Sequence, residues 1–225
     1  MITRLSFSCV MALGLAAAPC SQAAVLGQTD DFQSGTSTQG WGGSSPNGLT
    51  GPTSRVDGGP NGSGDFYLEQ SSAGWHLATN NGSQWSGDYL GEGITGVNLD
   101  INHLTGTDPV AIRVAITGPG GFWSSTNATP ITTGAWNNYT FDLTTSDLVY
   151  VSGGTGVLND TLSNVGKLLI RHDNGSTPTP PGQHPQHITV SVGFDNIQAI
   201  PEPSTAMLGI ASIMGLAASR RRKKS

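Results

Sequence analysis

Residues 110–116 read Val-Ala-Ile-Arg-Val-Ala-Ile, and residues 188–194 read Ile-Thr-Val-Ser-Val-Gly-Phe. In both stretches nearly every second position holds a large apolar side chain, with small or polar residues between. Because successive side chains of a β-strand point to opposite faces, this period of two predicts strands with one buried face. Val97–Ile101 and Tyr139–Leu143 repeat the pattern. The chain therefore contains at least four half-buried strands.

Shorter apolar segments between turn-forming clusters add further predicted strands at Phe66–Gln70, Trp75–Thr79, Leu148–Val151 and Lys167–His172. The one candidate helix is Leu158–Val165, with Asn159 or Asp160 as its cap. Residues 34–64 are rich in Gly, Ser, Pro and Asn and are predicted to be long loops. Many short strands with frequent turns and almost no helix indicate an all-β fold, an antiparallel β-sandwich of the jelly-roll kind.

Both ends of the chain have the composition of targeting segments. Residues 1–24 combine Arg4, an apolar run at 10–18 and small residues at 21–24, which is typical of a signal peptide, so we expect a mature chain from about Val25. Both cysteines of the chain lie in this segment, which leaves the mature domain without a disulfide or a thiol metal ligand. Cys20 raises the alternative of a lipid anchor, although a preceding proline is a poor match to lipoprotein processing.

The C-terminal 25 residues begin with Pro201-Glu202-Pro203, continue with an uncharged run at 206–219 and end in a basic cluster, Arg220, Arg221, Arg222, Lys223 and Lys224. As a helix the run would reach only ~20 Å, against a hydrocarbon core of ~30 Å. The basic side chains can reach the headgroups and favour a cytoplasmic end, so a short transmembrane helix is expected. The plain alternatives are an ordinary tail anchor and a disordered tail.

This tail closely resembles the PEP-CTERM sorting signal, in which a Pro-Glu-Pro motif, an apolar helix and a basic end follow one another. The resemblance implies recognition by exosortase, a membrane protease-transpeptidase of Gram-negative bacteria that secrete exopolysaccharide. It further implies a transient inner-membrane anchor, cleavage near residues 201–203 and delivery to the cell surface or extracellular matrix. The domain organisation expected is a signal peptide at 1–24, an ectodomain at 25–200 and a sorting signal at 201–225.

The ectodomain is acidic and has few charges. Only 11% of the whole chain is charged, and residues 25–200 keep four basic and fourteen acidic residues, a net charge of −10. Such a domain repels nucleic acid and anionic lipid. Neutral sugars and cations are the expected partners.

A second resemblance covers roughly residues 75–200. The segments 85–91, 96–102, 136–143, 164–171 and 193–197 follow one another as in the laminin B type of sandwich, which is similar in turn to galactose-binding-like jelly rolls of carbohydrate-binding modules. It implies an extracellular structural or binding role. The proline-rich insert Asp173–Gln186 departs from the pattern and is expected to loosen the link between the last two strands.

Carboxylates at both ends of the ectodomain suggest a structural calcium site. Asp30 and Asp31 begin the domain and Asp195 lies near its end, on strands that commonly lie side by side in jelly rolls of this type. Calcium takes carboxylate and carbonyl oxygens, and a domain without disulfides would gain stability from it. The alternative is that Asp195 and Asn196 only cap a turn or hydrogen-bond a bulge.

Four aromatic residues are candidates for a ligand-binding rim: Trp75, His76, Trp85 and Trp123. Sugars are recognised by an aromatic face with a few orienting polar groups. The alternative is that these large side chains belong to the core, which is where Trp136, at the start of a strand, is assigned.

No catalytic motif stands out. The chain has no Gly-x-Ser-x-Gly, phosphate-binding loop or His-Glu-x-x-His, and the pair His184 and His187 lacks a third metal ligand nearby in sequence. Asp65 and Glu69 would be ~13 Å apart along a strand, too far for paired-carboxylate hydrolysis. The prediction is a non-enzymatic surface or matrix protein that associates with extracellular polysaccharide. A purely structural matrix protein is the alternative, and a secreted polysaccharide hydrolase is a less favoured one.

Overall fold

The computed structural model describes residues 23–34, 37–43, 53–183 and 186–201. They form the predicted antiparallel β-sandwich, with two sheets and two very short helices. The strands are β1 Thr29–Asp30, β2 Gly42–Gly43, β3 Thr53–Gly59, β4 Gly62–Trp75, β5 Ala78–Asn81, β6 Gly96–Gly106, β7 Ala111–Gly118, β8 Gly121–Ser125, β9 Thr129–Pro130, β10 Asn137–Asp142, β11 Leu148–Ser152, β12 Lys167–His172 and β13 Ile188–Ile200. The helices are α1 Tyr89–Glu92 and α2 Leu158–Leu162.

The first sheet has the order β10-β6-β13-β4-β3, with β1 beside β13. The last strand is therefore central, since β6 pairs with one edge of it and β4 with the other. In this register Gly193 lies opposite Glu69 on β4 and Asn102 on β6. Phe194, the next residue, points into the core.

The second sheet has the order β11-β8-β7-β12-β5-β2, and β9 pairs with β7. The core fills the space between the two sheets with the alternating apolar residues that the sequence indicates. Each such side chain, once fully buried, stabilises the fold by about 1.5–3 kcal/mol. The largest fully buried apolar side chains are Trp85, Tyr89, Phe32, Phe194, Leu68, Leu77, Ile94, Leu99, Ile101, Ile112 and Ile116.

Three local predictions are wrong. Residues 53–59, expected in a loop, form strand β3, because they pair with β4 across a tight hairpin whose ends are Gly59 and Gly62. The predicted strand at 66–70 is confirmed as part of the longer β4, whereas the predicted strand at 75–79 is wrong, because β4 ends at Trp75 and β5 begins at Ala78. Helix α2 ends at Leu162 and has no side-chain cap, and α1, capped by the Asp88 carboxylate, was not predicted.

The described chain begins inside the fold. Ala24 is completely buried, and its backbone N–H donates to the Ser86 carbonyl oxygen at 2.7 Å. Three residues later, the Gly27 N–H donates to the Ala199 carbonyl at 3.0 Å, which ties the segment to β13. The N-terminal residues therefore stabilise the junction between the first and last parts of the chain.

The beginning of the proline-rich insert is firmly held rather than loose. Asp173 is fully buried; its carboxylate accepts hydrogen bonds from Arg171 at 3.0 Å and from the Thr179 backbone at 2.7 Å. Arg113, also buried, donates to the backbone carbonyls of Asp173 at 3.2 Å and Gly175 at 2.6 Å. Paired and hydrogen-bonded in this way, the buried charges fix residues 173–179 against the second sheet.

Candidate ligand-binding and ion-binding sites

Asp195 is a buried carboxylate with one unsatisfied oxygen. It lies where β13 shifts register against β6, at a bulge in which Asn196 has a positive φ of 49°. The Asn196 N–H donates to Oδ1 of Asp195 at 2.8 Å, whereas Oδ2 is buried and has no hydrogen-bond partner. A buried acceptor left without a partner is costly, so this atom marks a site that a ligand would satisfy.

The electrostatic surroundings of Asp195 are negative. Burial raises the pKa of its carboxyl to about 7, against the opposing effect of the hydrogen bond from Asn196. The charges of Asp65, Asp100 and Asp31 raise the pKa further. A cation beside Asp195 would relieve this repulsion.

Oxygen atoms also cluster around the neighbouring Gln33 side chain. Its Nε2 donates to the Asp31 carbonyl at 2.7 Å, to Oδ1 of Asp65 at 2.7 Å and to the Phe66 carbonyl at 3.0 Å. A side-chain amide has only two protons for these three acceptors. Carboxylate and carbonyl oxygens are the kind of ligand that calcium prefers, although here the Gln33 amide donates to all three of them. Within the described residues, no group of three or more His, Cys, Asp or Glu side chains could hold a metal ion.

Asp30 has a different role from the one expected. Its Oδ2 accepts hydrogen bonds from the indole N–H of Trp41 and of Trp85, both at 2.7 Å. Burial raises the pKa of Asp30, although the two indole hydrogen bonds act in the opposite direction. This carboxylate is already satisfied by two donors, so it holds together the core beneath β1.

The same arrangement removes Trp85 from the candidate ligand platforms. Its ring is completely buried, with its centroid 6.0 Å from that of Trp41. No face of Trp85 can reach a sugar. The prediction is wrong for this residue. The sequence does not show that the buried Asp30 carboxylate accepts a hydrogen bond from the indole N–H of Trp85.

Trp75 is the exposed aromatic residue among the predicted candidates. It ends β4, and 45% of its surface is accessible. Its ring centroid lies 6.0 Å from that of His187, which in turn lies 4.7 Å from that of His76. His76 is buried and packs against the His187 ring. Trp75 and His187 therefore form the accessible part of this aromatic cluster. His184 lies outside the described residues.

Trp123 is half-buried and packs against the core on one side. Its N–H donates to the Gly120 carbonyl at 3.3 Å, and its ring makes an edge contact with Tyr150 at 5.4 Å between centroids. Tyr150 is 42% exposed and donates its hydroxyl proton to the Gly153 carbonyl. Each ring partly covers the other, and Tyr150 is the more exposed of the two.

Sequence reasoning missed Trp136, which was assigned to the core. The side chain is half-buried on the outer face of the first sheet, where its ring contacts Tyr67 edge-on at 5.1 Å between centroids. The ring occupies the space above Gly193, because a Cβ there would lie 2.5 Å from Cη2 of Trp136. The sequence feature that indicates a covering ring is Gly193, a glycine at an outward-facing position of the regularly alternating strand β13.

No protein-family model matches the chain, and no curated protein matches it. Solved structures do resemble it in fold. An exo-β-agarase has a TM-score of 0.52 and 16% identity over 77% of this chain and 25% of its own. The agarase AgWH50C has a TM-score of 0.51 and 13% identity over 80% of this chain and 26% of its own. The chain thus spans about a quarter of each agarase.

A looser likeness is to the family 11 carbohydrate-binding module from Clostridium thermocellum, solved with a β-1,3-1,4-mixed-linked tetrasaccharide. Its TM-score is 0.48, with 16% identity over 79% of this chain and 97% of the module. At identities this low, the likeness to the two agarases shows the fold of the chain alone, a jelly-roll-like β-sandwich.

The predicted sorting motif and membrane-retention cluster lie outside the described residues, except for Pro201. Among the residues that the structure does describe, no helix has the length and apolar character needed to span a membrane.

Proposed function

We propose that this is an exported protein that is anchored transiently in the inner membrane of a Gram-negative bacterium. Exosortase would cut it near residues 201–203 and release the sandwich to the cell surface or extracellular matrix. The support is the order of motif, apolar run and basic end in the tail, together with the signal-like residues 1–24.

At that location we propose that the sandwich binds extracellular polysaccharide and does not hydrolyse it. The observation that carries this proposal is the exposed Trp75 beside His187, an aromatic face flanked by a polar ring. The fold likeness to parts of two agarases supports a neutral polysaccharide as the ligand. The net charge of the ectodomain also favours a neutral ligand over an anionic one.

Affinity electrophoresis in gels that contain agarose, xylan or mixed-linkage β-1,3-1,4-glucan tests the proposal. We expect at least one polysaccharide to retard the protein, and Trp75→Ala to reduce this retardation. Asn61→Ala, a change in an exposed hairpin turn, is the control for handling and folding. Absence of retardation in every gel would favour the purely structural matrix protein, and release of soluble sugar from any probe would favour the hydrolase.

We also propose that calcium binds at Asp195, with Asp31 and Asp65 contributing oxygens. A bound Ca²⁺ would supply the positive charge that this group of carboxylates lacks. An ion that binds only the native state raises stability by about 2.7 kcal/mol at 100 times its Kd. Thermal unfolding with excess calcium and with a chelator tests this; identical curves for the two conditions would contradict it.

A further inference from the structure

The outer face of the first sheet carries a second aromatic group with a partly accessible ring, which we call the Trp136 platform: Tyr67, Glu69, Asn102, Trp136 and Gly193. The register of β4, β13 and β6 places Glu69, Gly193 and Asn102 side by side in one row across three strands. Because Gly193 has no side chain, the Trp136 ring can lie over the centre of this row.

Tyr67 holds the ring in place. It is buried, and its ring meets that of Trp136 at 72°, an edge-to-face geometry that aromatic pairs favour. A Cβ on Gly193 would also lie 3.1 Å from Cδ2 of Tyr67, so the two rings close over the glycine from both sides. Trp136 is consequently fixed with part of its surface still accessible.

Polar groups surround the platform. The Ser71 hydroxyl lies 3.2 Å from Oε1 of Glu69, to which it donates, and 2.8 Å from the Ser191 hydroxyl. Asn102 is only 7% exposed, and its Oδ1 has no hydrogen-bond partner. A buried acceptor in this position requires a donor from a bound molecule or from water.

The charge of the platform selects between ligands. Glu69 makes the surface negative, and its charge together with burial raises the pKa of Tyr67, which stays protonated. An anionic polymer would be repelled, whereas the hydroxyls of a neutral sugar can donate to Glu69 and to Asn102. An aromatic face with a few such polar groups is the usual arrangement for an orienting site.

We propose that the Trp136 platform binds one pyranose unit of a neutral polysaccharide, as a second site separate from Trp75. Tyr67 and Trp75 are eight residues apart on β4, which is about 26 Å along an extended strand. The inference rests on the proposed polysaccharide-binding function. Two such sites on one domain would allow the protein to hold two stretches of polymer at once.

The test uses the same gels containing agarose, xylan or mixed-linkage glucan. Trp136→Ala removes the ring, and Gly193→Ala leaves every polar group in place but forces the ring to move. Because loss of a central aromatic anchor is costly, each change should weaken binding roughly tenfold or more. Leu90→Ala, which alters an exposed apolar residue of helix α1, should leave binding unchanged.

Thermal unfolding establishes that each variant is folded. Glu69→Gln, which keeps the shape of the side chain, replaces Trp136→Ala if that variant does not fold, and should also weaken binding. Wild-type retardation with unchanged binding of these variants would overturn the second site and leave the proposed function intact. A wild-type protein that no gel retards would overturn both.

Discussion

Replacing Asp195 by asparagine, with a chelator present, should change how the stability of the sandwich depends on pH. The pKa of this carboxyl is 3.8 in an ordinary environment and about 7 in the folded protein. The difference of about three pH units corresponds to about 4 kcal/mol at 1.36 kcal/mol for each unit. The side chain is completely buried, and this value is the upper limit of the effect.

The sign follows from the raised pKa. Below about pH 4 the carboxyl is protonated in both the folded and the unfolded state, and the protein keeps this contribution to stability in full. As the pH rises towards 7, the unfolded chain loses the proton more readily than the folded one, so the free energy of unfolding falls. Asparagine does not ionise, so the stability of the variant relative to wild type should increase by about 4 kcal/mol across this range.

Urea unfolding followed by tryptophan fluorescence at a series of pH values measures this difference. The buried amide adds a constant offset, so the slope with pH is the diagnostic quantity. Asp147→Asn is a control of opposite sign, because hydrogen bonds from Thr144 and Ser146 lower the pKa of Asp147. Parallel pH profiles for wild type and Asp195→Asn would refute the reasoning. Excess calcium should restore the stability of wild type at neutral pH and have no such effect on the variant.

Three further changes have defined outcomes. Asp30→Ala leaves two buried indole N–H groups without an acceptor and should lower the free energy of unfolding by about 3 kcal/mol; urea unfolding that matches wild type would contradict this. Gly120→Ala should destabilise the fold, because the new Cβ collides with the Val157 backbone carbonyl, whereas Gly42→Ala, where no atom lies within 4 Å of the new Cβ and φ is not positive, provides the comparison in thermal unfolding. Alanines at 201–203 should leave the tail uncut in the native host, seen as a higher mass in the membrane fraction; equal processing would contradict the sorting proposal.

The strands of the core could be predicted because their pattern is local. Where β6, β7, β10 and β13 alternate large apolar residues with small or polar ones, the period of two identifies both the strand and its buried face. Strand β3 could not be predicted in this way, since Thr53–Gly59 contains one large apolar residue, Val56. Its conformation depends on hydrogen bonds to β4, and the residue types of β3 give no local indication of this pairing.

The positions of the tryptophans depended on tertiary structure. Trp85 is in the core and Trp136 on the surface, the reverse of what was expected. A tryptophan is apolar enough for either environment, and the choice was set by distant partners: the Asp30 carboxylate for one and the bare backbone at Gly193 for the other. The amino-acid composition around each tryptophan does not show which distant residue it will contact.

The buried position of Ala24 links export to folding. A peptidase cut between Ala23 and Ala24 leaves Ala24 as the first residue, with its nitrogen still in reach of the Ser86 carbonyl. A cut one residue later removes Ala24 from the core and leaves a hole beside Ser86. If the chain is exported as we propose, two products that differ by a single alanine would therefore differ in stability, the longer being the more stable.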